Sequence, residues 1–236
     1  MEKKEGKSFD LAPLIAAAHE LKAPLILLRQ LSLQLMNEQD SEKIAEISNR
    51  IQLTSERSLR LVNSLSKTAR LEDAMFKLEP IVLNNVARTV IDELEPLSNA
   101  LGQKIEIKTK KNVLAVGNFD LIRTIMLGLL DNSLMSHRIS SKPIEVRFCE
   151  HGDKLQILVR DFGEIIDVKH FRNVLVDIGK APIPLSDRPN STGLGLFISA
   201  KFSQYMQGEL SVTRHVKNGG LTFKVSLPAS KQLSLV

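Results

Sequence analysis

The sequence predicts an α + α/β chain, an antiparallel helical hairpin followed by an α/β sandwich, and three observations carry that prediction. Apolar residues keep three-and-four spacing from Leu11 to Leu35 and again from Ile44 to Leu65, as in helices with one apolar face. The polar run Asn37-Glu-Gln-Asp40 divides the two stretches. Beyond Phe76, short alternating segments and amphipathic ones take turns, as they do where helices cover a sheet. The expected division is residues 1–74 for the hairpin and 75–236 for the sandwich.

The first helix is expected from about Phe9 to about Met36, with Leu11, Leu14, Ile15, Ala18, Leu21, Leu25, Leu28, Leu31 and Leu35 on its apolar side. Pro24 lies inside it and has no N–H, so the carbonyl of Glu20 loses its helical partner. Asp40 or Ser41 is placed to cap the second helix, whose stripe is Ile44, Ile47, Ile51, Leu59, Val62 and Leu65. Two such helices bury their apolar faces poorly alone, so a symmetric dimer making a four-helix bundle is the economical solution.

In the second part a short strand is expected at Phe76 to Pro80, a helix from Leu83 to Leu101 closed by Gly102, and a strand from Lys104 to Thr109. A helix from Phe119 to His137 follows, with Leu121, Ile125, Leu129 and Leu130 on its apolar side. Ile144 to Phe148 and Leu155 to Val159 read as strands turning at His151-Gly-Asp153. A helix over Thr192 to Met206 precedes strands Glu209 to Thr213 and Thr222 to Leu227, which turn at Asn218-Gly-Gly220. The sheet so formed is largely antiparallel. Between Asp161 and Thr192 the pattern dissolves among Gly163, Gly179, Pro182, Pro184 and Pro189. That length suits a functional lid better than a plain connection, with Phe171, Val174 and Leu175 as a short helix in it.

Composition narrows the function. The chain of 236 residues is 43% apolar and 25% charged, an ordinary globular balance. It shows neither an 18-residue apolar run nor a signal peptide, and Cys149 is its only cysteine, which suits the cytoplasm; a first helix that begins almost at Met1 also fits the soluble core of a membrane-anchored parent. Residues 1–74 balance 11 basic against 11 acidic side chains, so the net charge of +5 lies wholly in the second part. That excess suits an anionic ligand. One Tyr, no Trp and no Arg-rich run argue against nucleic acid.

Four short motifs stand in order. They are Ala18-His-Glu-Leu-Lys-Ala-Pro-Leu25, Gly128-Leu-Leu-Asp-Asn132-Ser, Val159-Arg-Asp-Phe-Gly163 and Thr192-Gly-Leu-Gly-Leu196, followed by Gly220-Leu-Thr-Phe223. Each alone is weak: a helical His beside a Glu is ordinarily a surface ion pair, and Gly-x-Gly is common. Together they resemble the cytoplasmic core of a bacterial sensor histidine kinase of two-component signalling, with its phosphoacceptor, asparagine, adenine and glycine boxes.

The resemblance implies an ATP-dependent autokinase with Mg²⁺ as cofactor. His19 would take the γ-phosphoryl on Nε2, since imidazole is the one side chain that offers a neutral nitrogen nucleophile near pH 7 without tuning. Glu20 would hydrogen-bond the other ring nitrogen and raise its basicity. Asn132 would supply one amide oxygen to Mg²⁺, which takes few protein ligands. Asp161 would accept from the adenine amino group, with Gly163 beside it. Gly193, Leu194 and Gly195 would bring backbone N–H groups to the phosphates. The implied partners are a second copy through the hairpin and the receiver aspartate of a response regulator. Ala23 stands where many members carry Thr or Asn, which implies weak phosphatase activity.

The departures from the family pattern weaken nucleotide binding on paper. Ile165 replaces the second glycine of the adenine box and resists positive φ by ~1–2 kcal/mol. Ser191 replaces the first glycine of the glycine loop, Gly128 an earlier Asn, and Met135 a basic residue that His137 or Arg138 could replace. The alternative is therefore a catalytically weakened or silent dimer acting as an interaction module. A non-kinase ATPase of the gyrase type leaves His19 unexplained.

Overall fold

The computed structural model describes residues 12–71, 76–136, 142–163 and 193–230, with short pieces at 167–168, 171–172, 175 and 178–182. Most of the expected lid, Ile165, Ser191, His137, Arg138 and residues before 12 lie outside the described residues.

Helix α1 (Ala12–Asn37) runs through Pro24, and α2 (Ser41–Ala69) returns beside it. The reversal is set by Asp40, whose Oδ1 accepts from Glu42 N at 2.9 Å and Lys43 N at 3.4 Å, taking two of the N–H groups a helix start leaves unpaired. Leu31 and Ile47 are buried within the hairpin. Other apolar positions are not: Leu14 is 59% exposed, Leu25 59% and Leu59 60%, so the hairpin alone leaves much of its apolar surface in water.

The second part is a sandwich. Strand β1 (Glu79–Val82) pairs antiparallel with β3 (Leu114–Gly117) in a two-stranded sheet. The main sheet holds β2 (Ile105–Ile107), β4 (Ile144–His151), β5 (Lys154–Arg160), β6 (Glu209–Arg214) and β7 (Leu221–Pro228) in the order β2-β4-β5-β7-β6. Only β2 and β4 run parallel; the other neighbours are antiparallel. Helices α3 (Leu83–Ala100), α4 (Phe119–Ser136) and α5 (Leu194–Tyr205) cover it. Alternate residues such as Val146, Ile157, Val159, Phe223 and Val225 point into a shared core with Leu121, Ile125, Leu129 and Phe202.

Three strands differ from expectation. The first strand is Glu79–Val82 and not Phe76 to Pro80, because Phe76 is spent elsewhere: its ring stands edge-on to Tyr205 at 6.0 Å, and Tyr205 Oη donates to its carbonyl at 3.2 Å. Strand β3 was not anticipated at all. Four residues show too little alternation, and its register with β1 is set by a partner more than thirty residues away. The strand expected at Lys104 to Thr109 shrinks to three residues.

The hairpin leans on the sandwich. Ala17 is buried in the same core as the sandwich residues, with Leu61 and Leu65 packed against it. Lys67 Nζ donates to Thr124 Oγ1 at 3.1 Å, and Arg57 and Arg60 of α2 reach Asp131 of α4 at 2.9 and 3.9 Å.

Candidate active site

The site is built where α4 meets the start of α5. Asn132 stands half-buried on α4, one turn before its end. Beside it is Gly195: a Cβ there would lie 3.7 Å from Asn132 Nδ2, so no side chain covers the backbone next to the amide. Gly193 caps α5 with φ +75°, a conformation that L side chains resist. Leu194 is fully buried and anchors the helix start in the core.

A cleft of about 1320 Å³ opens between hairpin and sandwich. Glu20, Ala23 and Pro24 line it from α1, Arg57, Arg60 and Lys67 from α2, and Asp131, Asn132, Met135 and Gly195 from the sandwich. Two helices distant in sequence from Asn132 thus bring Glu20 to the same space. His19 is exposed on α1 and is not on that lining. Burial lowers the Lys67 ammonium below its ordinary pKa, with Asp120 opposing the shift.

Asp161 forms the second element. It follows β5, is almost fully buried, and its Oδ1 accepts from Gly163 N at 3.1 Å and Leu221 N at 3.2 Å. Glycines make room for it. A Cβ on Gly220 would stand 2.3 Å from Asp161 O, and one on Gly163 would stand 2.4 Å from Ser136 O, at the end of α4. The Asp161 turn therefore sits against the last turn of the helix that carries Asn132. Sequence reasoning had not singled out Arg160, which is 9% exposed and donates to the carbonyls of Asp161, Leu221 and Gly219. A charge at a strand end carried no signal of burial. Nor had it singled out Asp131, read only as a helix residue.

The donor set fits a magnesium nucleotide. Asn132 and Gly195 line the cleft, whereas Asp161, Gly163, Gly193 and Leu194 lie off its lining. Asn132 would then provide a single amide oxygen, as Mg²⁺ held mainly by phosphates and water requires.

The chain resembles known proteins in sequence and in fold. Residues 117–231 match the family described as histidine kinase-, DNA gyrase B- and HSP90-like ATPase. The chain is 24% identical over 214 residues to sensor protein CutS of Streptomyces coelicolor, covering 90% of this chain and 51% of that one. It is 24% identical over 217 residues to sensor protein kinase PmrB of Pseudomonas aeruginosa, covering 91% and 45%. Its fold matches the histidine kinase AdeS of Acinetobacter baumannii with a TM-score of 0.60 at 16% identity, over 90% of this chain and 98% of that one.

The chain thus carries an ATPase domain of the histidine kinase, gyrase B and HSP90 type behind a helical hairpin. Over about nine tenths of its length it is similar in sequence to sensor histidine kinases. It spans about half the length of the curated relatives it matches. No helix among the described residues is long and apolar enough to cross a membrane.

Proposed function

We propose that the chain is the core of an ATP-dependent protein histidine autokinase that labels His19 and passes the phosphoryl group to an aspartate of a response regulator. The observation that carries the reading is the shared cleft: Glu20, the neighbour of His19, lines it together with Asn132 and Gly195. Mg-ATP supplies the phosphoryl group and the charge that neutralises it. The chain does the rest. Asp161, its Oδ1 held by Gly163 N, would accept from the adenine amino group; Gly193, Leu194 and Gly195 would present the start of α5 to the phosphates; Asn132 would hold the metal. Glu20 holds the proton on His19 Nδ1 so that Nε2 attacks the γ-phosphorus as the bond to the β-phosphate oxygen breaks.

The division follows the same reading, with residues 1–74 as the dimerising phosphotransfer hairpin and 75–236 as the ATP-binding domain. Exposure of Leu14, Leu25 and Leu59 supports a second copy of the chain against the hairpin. The working place is the cytoplasm, where the regulator docks on the bundle. One observation favours a second reading, a silent interaction module: apolar Met135 lines the cleft where the family places a basic residue.

Incubation with γ-labelled ATP and magnesium tests both. The expected label is acid-labile and alkali-stable, absent from His19→Gln, and lost in Asn132→Ala while the dimer persists. Label persisting in His19→Gln refutes the phosphoacceptor, and no label in the unmodified protein supports the silent module.

A further inference from the structure

The residue before Asp161 is treated unlike any other basic side chain described here. Arg160 ends β5, where an arginine ordinarily extends into water, yet it is 9% exposed. A buried charge is costly unless its hydrogen-bonding capacity is met. Arg160 meets it with backbone carbonyls. Nη1 donates to Asp161 O and, at 3.2 Å, to Leu221 O; Nη2 donates to Gly219 O at 2.7 Å. Its guanidinium also lies 4.4 Å from the centre of the Phe162 ring, within range of a cation–π contact.

These acceptors belong to two strand ends. Asp161 leaves β5; Gly219 and Leu221 straddle the turn into β7, where Gly219 and Gly220 have φ of +67° and +68°. The peptide groups of Leu221 are used on both sides. Its carbonyl accepts from Asp161 N at 3.0 Å and from Arg160, and its N–H donates to Asp161 Oδ1 at 3.2 Å. Holding Leu221 therefore holds the carboxylate. With Oδ1 tied to Leu221 and Gly163, the plane of the carboxylate, and so the direction of Oδ2, is set by where the turn stands.

We propose that Arg160 is a positioning residue for base recognition: by tying the Gly219–Leu221 turn to the end of β5, it fixes the Asp161 carboxylate in the orientation that accepts from an adenine amino group. This rests on the reading of Asp161 as the adenine contact. A carboxylate aimed to within about 0.5 Å accepts from the amino group of adenine and repels the carbonyl that guanine carries there, so loosening the aim costs base preference as well as affinity. A lysine keeps the charge but offers one point donor in place of a planar fork that spans three carbonyls.

Calorimetric titration of the whole chain with non-hydrolysable ATP and GTP analogues, alongside thermal melts, decides it. Unmodified protein, Arg160→Lys, Arg160→Met and Asp161→Asn are compared. Arg160→Met is expected to lose roughly tenfold in affinity for the ATP analogue and to shrink the ATP-over-GTP preference, as Asp161→Asn does. Arg160→Lys is expected to melt nearer the unmodified protein yet keep a reduced preference. A lower melting temperature with unchanged preference in the folded variants makes Arg160 merely structural and overturns the proposal. If Arg160→Met does not fold, Arg160→Lys alone decides by the same criterion. If Asp161→Asn binds as the unmodified protein does, the adenine reading itself fails, and the proposal with it.

Discussion

Replacing Gly220 by alanine tests the Asp161 site with a single methyl group. The new Cβ would stand 2.3 Å from Asp161 O and 2.4 Å from Asp161 Oδ1, where a carbon and an oxygen ordinarily keep about 3.3 Å or more. A shift of about 1 Å is therefore required. The carbonyl cannot yield freely, because Arg160 holds it, and Oδ1 is held by Gly163 N and Leu221 N. Two costs add. A φ of +68° costs an L residue about 1–2 kcal/mol. Losing one charge-assisted hydrogen bond costs about 1.5–3 kcal/mol. The expected total is about 2.5–5 kcal/mol, which lowers the melting temperature of a chain this size by roughly 10 °C.

Gly152→Ala is the matched control. Its φ is +62° but nothing lies within 4 Å of the new Cβ, so it should show the backbone cost alone and leave nucleotide affinity intact. Scanning calorimetry and titration with a non-hydrolysable ATP analogue read both effects. If Gly220→Ala melts no lower than Gly152→Ala and binds the nucleotide as well, the packing around Asp161 does not constrain the site and the reasoning fails.

Three further predictions use other parts of the molecule. Asp131→Asn removes the partner of Arg57 and Arg60; with the Arg57 side chain 45% exposed, the loss is about 0.5–1 kcal/mol, two- to fivefold in docking of α2 on α4, and small-angle scattering should show a larger radius of gyration. His215 is lowered below its ordinary pKa by burial and then by the Arg160 guanidinium, with Asp161 opposing, while its Nε2 meets Thr222 Oγ1 at 2.8 Å. The stability it contributes is present above about pH 6.5 and is lost as pH falls toward the lowered value, so melting temperatures should drop more between pH 7 and 5 for the unmodified protein than for His215→Gln; parallel curves would contradict the assignment. Ala23 lines the cleft four residues after His19 and can neither donate nor accept, so Ala23→Thr should speed decay of a phosphorylated regulator, and rapid decay with the unmodified protein would show that another group holds the water.

Local chemistry made much of this chain readable in advance. The leucine spacing and the Asn37–Asp40 break specify two helices because helical periodicity and capping act within a few residues. The turns at Gly152 and at Gly219 and Gly220 were visible for the same reason, since each glycine takes a positive φ in a turn of a few residues. The motifs that pointed to Asn132, Asp161 and Gly195 are short and contiguous. What remained hidden depends on partners far along the chain. Strand β3 exists through its register with β1; Phe76 left the strand for Tyr205; Glu20 and Asn132 share a cleft only because both helices of the hairpin pack against the sandwich. The burial of Arg160 was not legible because nothing near it in sequence announces three carbonyls, two of which arrive from a turn some sixty residues away. Periodicity and turn chemistry are properties of neighbours in sequence, whereas burial and the aim of a carboxylate are properties of neighbours in space, which only the packed fold brings together.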